Sequence, residues 1–304
     1  MNYYNEIKKE LTNNEIYKKV KDYSKNKSDL STYYNVGKLL SDAGKKYGEG
    51  IIKEYSKRLS KELSVKYSAR YLFDIRKFYF FSKVHPVDAL LSMSHYRLLF
   101  PLKDDNEIDY YINQTINRNL SKRELQEIIK LNEYERLPKE TKEKLINKEQ
   151  VKINDFIKNP IIIRNKYGYS DISEKALKDL ILEDIPSFLK ELGDGFCFID
   201  SEYKIKIGNT YNYIDLLLFN YVYNAFVVVE LKVTELRKEH IGQIEVYMNY
   251  IDKNIKSINQ DKTIGIIISK KDNKFVIEYA SDERIFNSIY INIRFFLNIL
   301  CNNL

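Results

Sequence analysis

The tightest constraint on this chain is a pair of apolar runs, Tyr213-Ile214-Asp215-Leu216-Leu217-Leu218-Phe219 and Ala225-Phe226-Val227-Val228-Val229-Glu230-Leu231-Lys232-Val233, joined by a short Asn-bearing turn. Runs of β-branched and aromatic residues around a polar break read as a buried hairpin. Such a hairpin has to lie in a covered sheet, yet this one carries Asp215, Glu230 and Lys232. A lone buried ion costs several kcal/mol, so charges in such places are paired or coordinate a metal. Residues two apart on a strand share a face, which puts Glu230 and Lys232 on one side of the sheet and Leu231 on the other. Two carboxylates and an amine on one sheet face point to hydrolysis with a divalent metal ion. The competing reading is a solvated strand end with an ordinary Glu–Lys pair, because Glu-x-Lys also occurs at Glu6/Lys8, Glu140/Lys142 and Glu202/Lys204. Only the Glu230 copy ends an unbroken apolar strand with an Asp near the start of the preceding one.

The segment that follows has apolar residues at Ile241, Ile244, Met248 and Ile251, one buried stripe of a helix. His240, Gln243 and Tyr247 form a neighbouring polar and aromatic stripe, and a helix packed after the Glu230 strand holds Gln243 near the carboxylates. Strands are expected at 263–269 and 275–279. Before the hairpin, a helix over 171–192 is expected, opened by Asp171 and Glu174 in an Asp-x-x-Glu start signal, then one or two strands over 196–207. Helix, strand, hairpin, helix, strand, strand makes an α/β sandwich with a mixed sheet.

The first half reads as nearly all helix, with segments over 3–22, 31–44, 49–64, 68–82, 94–100, 106–118 and 121–132 and a Ser121/Glu124 capping box. The chain is thus α+β overall. The expected layout is a helical domain over 1–137, a charged, Pro-flanked linker over 138–160, and a sheet domain over 161–304. Lys, Asn, Ile and Tyr are heavily used and Trp is absent, a compositional bias that discounts raw lysine content as a signal. The asymmetry of charge survives that discount. Residues 1–150 hold 30 Lys and Arg against 22 Asp and Glu, and the remainder 20 against 21. Between Lys45 and Lys83 eleven basic residues face four acidic ones, the footprint of contact with a phosphate backbone. A solvated helix face is the alternative. Short helices around 68–81 resemble a helix-turn-helix or winged-helix-like module. Arg70 and Lys77 are then the expected nucleic-acid contacts, with Lys66 and Arg76 next, whereas Tyr71, Ile75, Phe78 and Tyr79 are mainly core.

Several motifs together resemble the PDDEXK nuclease superfamily, and within it the bacterial two-domain YhcG-like proteins. In the second half these are Tyr213 to Phe219, Val229-Glu230-Leu231-Lys232-Val233, Gly242-Gln243 with Tyr247-Met248-Asn249-Tyr250-Ile251-Asp252, Glu191-Leu192-Gly193-Asp194-Gly195-Phe196, and Ile264-Gly265-Ile266-Ile267-Ile268. In the first half they are Tyr47-Gly48-Glu49-Gly50-Ile51-Ile52, Leu59-Ser60-Lys61-Glu62-Leu63, Leu72-Phe73-Asp74-Ile75-Arg76-Lys77-Phe78-Tyr79, Ser94-His95-Tyr96-Arg97-Leu98-Leu99 and Leu120-Ser121-Lys122-Arg123-Glu124-Leu125. The resemblance spans nearly the whole chain. It implies a restriction-endonuclease-like second domain, with Asp215, Glu230 and the Leu231 carbonyl ligating Mg2+ (or Mn2+), Lys232 positioning or activating the attacking water, and Gln243 as an auxiliary helix residue. The chemistry agrees, since a phosphodiester is already anionic and hard oxygen ligands suit Mg2+.

One position departs from the family. Similar proteins carry a Glu about fifteen residues before the Gly of the Leu-Gly pair, and here that position is Lys178. Glu174, one turn earlier on the same face, is the candidate replacement acid; Asp179 and Glu183 are also near, and all three are otherwise surface residues of an amphipathic helix. Lys178 itself stands where the metal-side acid should be, which weakens or relocates the metal. Three functions are therefore carried forward: a metal-dependent DNA endonuclease docked through its basic helical domain; a catalytically weakened DNA-binding or assembly module; and an RNA-directed nuclease, because phosphate contacts do not distinguish the polymers. Cutting both strands of a duplex leads us to expect a dimer or tetramer. No stretch approaches 18 apolar residues, the N-terminus has no signal-peptide pattern, and two cysteines, Cys197 and Cys301, suggest no disulfide framework. The expectation is a cytoplasmic protein with no membrane partner.

Overall fold

The computed structural model describes residues 3–20, 25–149, 155, 157–165, 167, 172–278 and 282–294. The chain divides into two compact units, Met1–Tyr134 and Glu135–Leu304.

The first unit is built from α1 (Tyr3–Val20), α2 (Lys25–Tyr47), α3 (Gly50–Leu63), α4 (Ala69–Phe81), α5 (Met93–Leu99), α6 (Asp105–Asn117) and α7 (Lys122–Lys130). Each presents one apolar stripe to a shared interior: Ile7 and Leu11, Val36 and Leu40, Ile52 and Leu59, Leu72, Ile75 and Phe78, Tyr96 and Leu99, Tyr111, and Leu125 are all buried. Local signals start the helices. Ser68 caps α4 by accepting from Tyr71 N–H, and Ser121 and Glu124 form the α7 capping box. Helices α2 and α4 cross closely. A Cβ on Gly37 would lie 2.6 Å from both the Ile75 carbonyl oxygen and the Tyr79 Cβ, so only glycine lets these helices approach so closely. No strand lies among the described residues of this unit, so the winged part of the expected module has no counterpart there.

The second unit runs α8 (Lys139–Asn147), β1 (Ile161–Asn165), α9 (Glu174–Glu183), α10 (Ile185–Leu192), β2 (Phe196–Ile207), β3 (Thr210–Asn220), β4 (Ala225–Glu235), α11 (Lys238–Asn254), β5 (Asp261–Lys271), α12 (Lys274–Glu278) and β6 (Ile285–Arg294). The sheet order is β1-β6-β5-β4-β3-β2; the β2–β3–β4 meander is antiparallel, and β4, β5, β6 and β1 pair in parallel. On one face Leu177, Leu180 and Ile181 of α9 and Phe188 and Leu192 of α10 pack on Leu216, Leu218, Val227, Val229, Leu231 and Ile266. On the other, Ile241, Ile244, Met248 and Ile251 of α11 pack on Leu217, Val228 and Ile267. The β3–β4 hairpin is thus covered on both faces, as its unbroken apolar runs require. The turn that joins its two strands is tied by the buried Asn220, whose amide accepts from the Val222 and Tyr223 N–H groups and donates to the Asp194 carbonyl.

Four expectations need correction. Residues 275–278 lie in the helix α12, where 275–279 reads as a strand; Tyr279 lies outside the described residues. A parallel β5–β6 pair needs a crossover rather than a turn, and Val276 and Ile277 use that crossover to pack against the α11 core. The helix expected over 171–192 is two helices broken at Asp184, which ends α9 and caps α10 by accepting from Ser187 N–H, with Pro186 in the first turn. Asp171 lies outside the described residues, and the α9 cap is Ser173, accepting from Ala176 N–H. The expected linker holds α8, whose only buried residue is Thr141, so its polar sequence reads as solvated chain. Arg136, just before it, forms a buried pair with Glu191 of α10 and donates to the Pro160 carbonyl. Among the described residues no helix is long and apolar enough to cross a membrane.

Candidate active site

Strand pairing creates the site. The β3–β4 ladder runs from Asn220↔Ala225 to Leu216↔Val229 and ends there. Beyond that point β3 stays with β2 down to Thr210↔Ile207, and β4 stays with β5 through Glu230↔Ile267, Leu231↔Ile268 and Lys232↔Ser269. The sheet forks at Asp215 and Glu230. At the fork the Leu231 N–H, which has lost its partner on β3, donates to Asp215 Oδ2 at 2.9 Å.

Glu230 is 1 % exposed. Its Oε2 accepts from Lys232 Nζ at 3.3 Å, while its Oε1 is buried with no hydrogen-bond partner. Burial first, and then the nearby Asp215 charge, lift the Glu230 carboxyl to about 7, against the opposing pull of Lys232. The Lys232 side chain is itself largely buried.

The Lys178 ammonium completes the cluster. It projects from α9, whose neighbouring Leu177 and Ile181 anchor it in the core. Its Nζ lies 2.6 Å from Glu202 Oε1 on β2 and 3.6 Å from Asp215 Oδ1, with the side chain 13 % exposed. Burial pulls the Lys178 pKa down, but the Glu202 hydrogen bond and the Asp215 charge outweigh it and hold the group above the ordinary lysine value. It is a fixed positive charge.

Of the residues singled out from the sequence, Asp215, Glu230 and Lys232 come together at the fork. Gln243 lies half-buried on α11 and donates to Tyr247 Oη at 3.0 Å. Glu174 sits exposed in the first turn of α9, where its charge acts on His240 and Tyr290; among the described residues it does not group with Asp215 and Glu230 into a set that could hold one ion. Asp179 and Glu183 are exposed, and Glu183 accepts from Tyr167 Oη. Lys178 therefore takes the place at Asp215 for which Glu174 was the candidate. Glu202 shares its Glu-x-Lys pattern with Glu6/Lys8 and Glu140/Lys142, and no sequence signal marks it, because its role depends on where α9 delivers Lys178. His240 accepts from the Arg237 N–H at the start of α11, and burial, then the Lys232 and Arg237 charges, depress its pKa.

The donor set suits a hard divalent ion. A buried carboxylate oxygen with no donor aimed at it is what a cation satisfies, and Asp215 stands beside it. Among the described residues no three His, Cys, Asp or Glu side chains converge on one point. An ion at the fork would rest on two carboxylates, backbone carbonyl and water, a set that fits Mg2+ or Mn2+ rather than Zn2+.

In the first unit, Lys66, Arg70 and Lys77 are exposed and line one concavity of about 730 Å3 with Tyr67, Tyr71, Asp74, Arg97 and Phe100. Arg97 is held by Asp74 at 2.9 Å. Arg76 turns away: it pairs with Glu49 at 2.7 Å and lies 5.3 Å from the Phe73 ring centroid.

Two family profiles match the chain. Residues 154–296 match the YhcG PDDEXK nuclease domain and residues 6–136 the DUF1016 N-terminal domain. The curated "Putative nuclease YhcG" of Escherichia coli (strain K12) is 22% identical over 299 aligned positions, covering 82% of this chain and 79% of that one. Among solved structures, a repair endonuclease from Pyrococcus abyssi matches 40% of this chain and 48% of its own at 19% identity, with a TM-score of 0.30. The EndoMS–dsDNA2 complex matches 43% of this chain and 48% of its own, also at 19% identity, with a TM-score of 0.29. The match spans about half the length of these two proteins, too loosely to carry an argument. The two profiles and the curated relative, read with the forked sheet, place the chain in the two-domain YhcG-like family of PDDEXK nucleases.

Proposed function

We propose that this protein is a divalent-metal-dependent endonuclease that hydrolyses phosphodiester bonds of DNA. The observation that carries the reading is the buried, unpartnered Glu230 Oε1 at the fork beside Asp215. Such an acceptor is costly unless a donor or cation meets it. Asp215, Glu230 and the Leu231 carbonyl would hold Mg2+ or Mn2+. The chemistry that ion supplies is neutralisation of the phosphodiester's charge and acidification of water. Lys232 steadies Glu230 through its 3.3 Å contact and offers a donor to the incoming water or the phosphate. Gln243, held by Tyr247, is the auxiliary polar group on the α11 side.

Docking is assigned to the first unit, where Lys66, Arg70 and Lys77 present exposed positive charge around one concavity. DNA is the polymer that the family resemblance implies. Cutting both strands of a duplex calls for two such sites, so the reading includes self-association, which sedimentation checks. One observation favours a second reading, a DNA-binding module with weakened catalysis: the Lys178 ammonium stands 3.6 Å from Asp215 Oδ1.

One experiment separates these. The full chain and Glu230→Ala are incubated with supercoiled plasmid and with RNA in Mg2+, Mn2+ or EDTA. Plasmid cleavage that needs metal and disappears in the variant supports the DNA nuclease. Cleavage of RNA alone moves the substrate assignment. A gel shift without any metal-dependent cleavage leaves the binding module.

A further inference from the structure

Lys178 is not a wandering surface lysine. It is clamped between Glu202 and Asp215, its side chain is 13 % exposed, and its helix is fixed by Leu177 and Ile181. We propose that the Lys178 ammonium is a resident cation that fills the place of a second metal ion at Asp215, so that each chain holds one divalent ion. The proposal rests on the metal-nuclease reading above and adds the number of ions and the residue that sets it.

Three features of the site argue for this. The first is crowding at Asp215: of the roughly four lone-pair sites on its carboxylate the Leu231 N–H takes one on Oδ2, Lys178 faces one on Oδ1 and the first ion needs a third, so a second ion would have to lie against the Lys178 ammonium. The second is the supply of acids. No third His, Cys, Asp or Glu joins the pair among the described residues, and Glu202, the acid nearest Lys178, is already engaged by it. The third is charge. Asp215, Glu230 and Glu202 face Lys178 and Lys232, a net of minus one, so one divalent ion leaves a single positive surplus to meet a phosphodiester. A second ion would raise that surplus to three around the nearly dry Glu230–Lys232 pair, where charge repulsion is poorly screened.

The test counts ions on the full chain without nucleic acid, using Mn2+ followed by electron paramagnetic resonance and by calorimetry. Wild type is expected to bind one Mn2+ per chain. Lys178→Met keeps the aliphatic stem and removes the charge, and should bind that ion at least about tenfold more tightly. Lys178→Glu supplies the missing acid and should bind two. Melting curves in EDTA report whether each variant folds, and the wild-type count stands whatever they show. Two Mn2+ on wild type, or a folded Lys178→Met with unchanged affinity, overturns the resident-cation proposal while leaving the metal-dependent reading intact. No Mn2+ binding to wild type at millimolar concentration overturns both.

Discussion

The Leu231 backbone N–H donates to Asp215 Oδ2 at 2.9 Å, so the side chain that defines the fork also completes the hydrogen bonding of the strand beside it. Asp215 therefore has a structural duty separable from its chemistry. Asp215→Asn keeps an acceptor for that N–H and should remain within about 1 kcal/mol of wild type in urea denaturation, whereas Asp215→Ala strands the donor and should cost about 1–3 kcal/mol. Neither should cleave DNA. Equal stability losses for the two variants would show that the bond does not hold the fork.

Burial and the Asp215 charge raise the Glu230 carboxyl from 4.5 to about 7. A raised acid favours the folded state when protonated, so its contribution is fully present below about pH 4.5 and is lost as pH rises through about 7. The loss amounts to about 3 kcal/mol by pH 8. In EDTA, Glu230→Gln should match wild type at about pH 4 and exceed it at about pH 8, in urea unfolding at each pH. Mg2+ added at pH 8 should stabilise wild type and not the variant. Parallel stability curves for the two proteins across that range would remove the buried ionised Glu230 from the account.

Much of this was legible in the sequence because particular residues leave no alternative. Asp215 and Glu230 stand out since nothing else in the 213–219 and 225–233 runs is acidic, and α11 follows from the spacing of Ile241, Ile244, Met248 and Ile251. Other parts depend on tertiary facts. Phe275-Val276-Ile277 has the composition of a strand, and only the parallel pairing of β5 with β6 makes it part of a crossover. The fork is a place where a ladder stops, which no local pattern encodes. Arg76 is instructive in the other direction: consecutive helical residues point about 100° apart, so its neighbour Lys77 could face the concavity while Arg76 turned to Glu49.

Gly265 shows how closely α11 is seated. A Cβ there would lie 2.6 Å from Met248 Sδ and 2.9 Å from Ile244 Cδ1. Gly265→Ala should cost about 1–3 kcal/mol through overpacking. Met248→Ala on that background vacates the space, so the double variant should be more stable than additivity of the single changes allows. Thermal melts of the four proteins give the coupling. Additive losses would mean that β5 and α11 do not meet through this contact.

Arg70 and Lys77 lie seven residues apart on α4, both exposed and both lining the concavity of the first unit. If each neutralises one DNA phosphate, Arg70→Ala/Lys77→Ala should weaken binding to all sequences alike and lower the slope of log K against log salt by about 2. Arg76→Ala serves as the control on the same helix. Its guanidinium is already committed to Glu49, so its removal should leave the slope where it was. Fluorescence anisotropy with a labelled duplex from 50 to 200 mM salt, roughly the range over which counterion release dominates, reads all three proteins. An unchanged slope in the double variant would move docking off this face of α4, and a fall with Arg76→Ala equal to that of the pair would make the effect one of general charge rather than of the concavity.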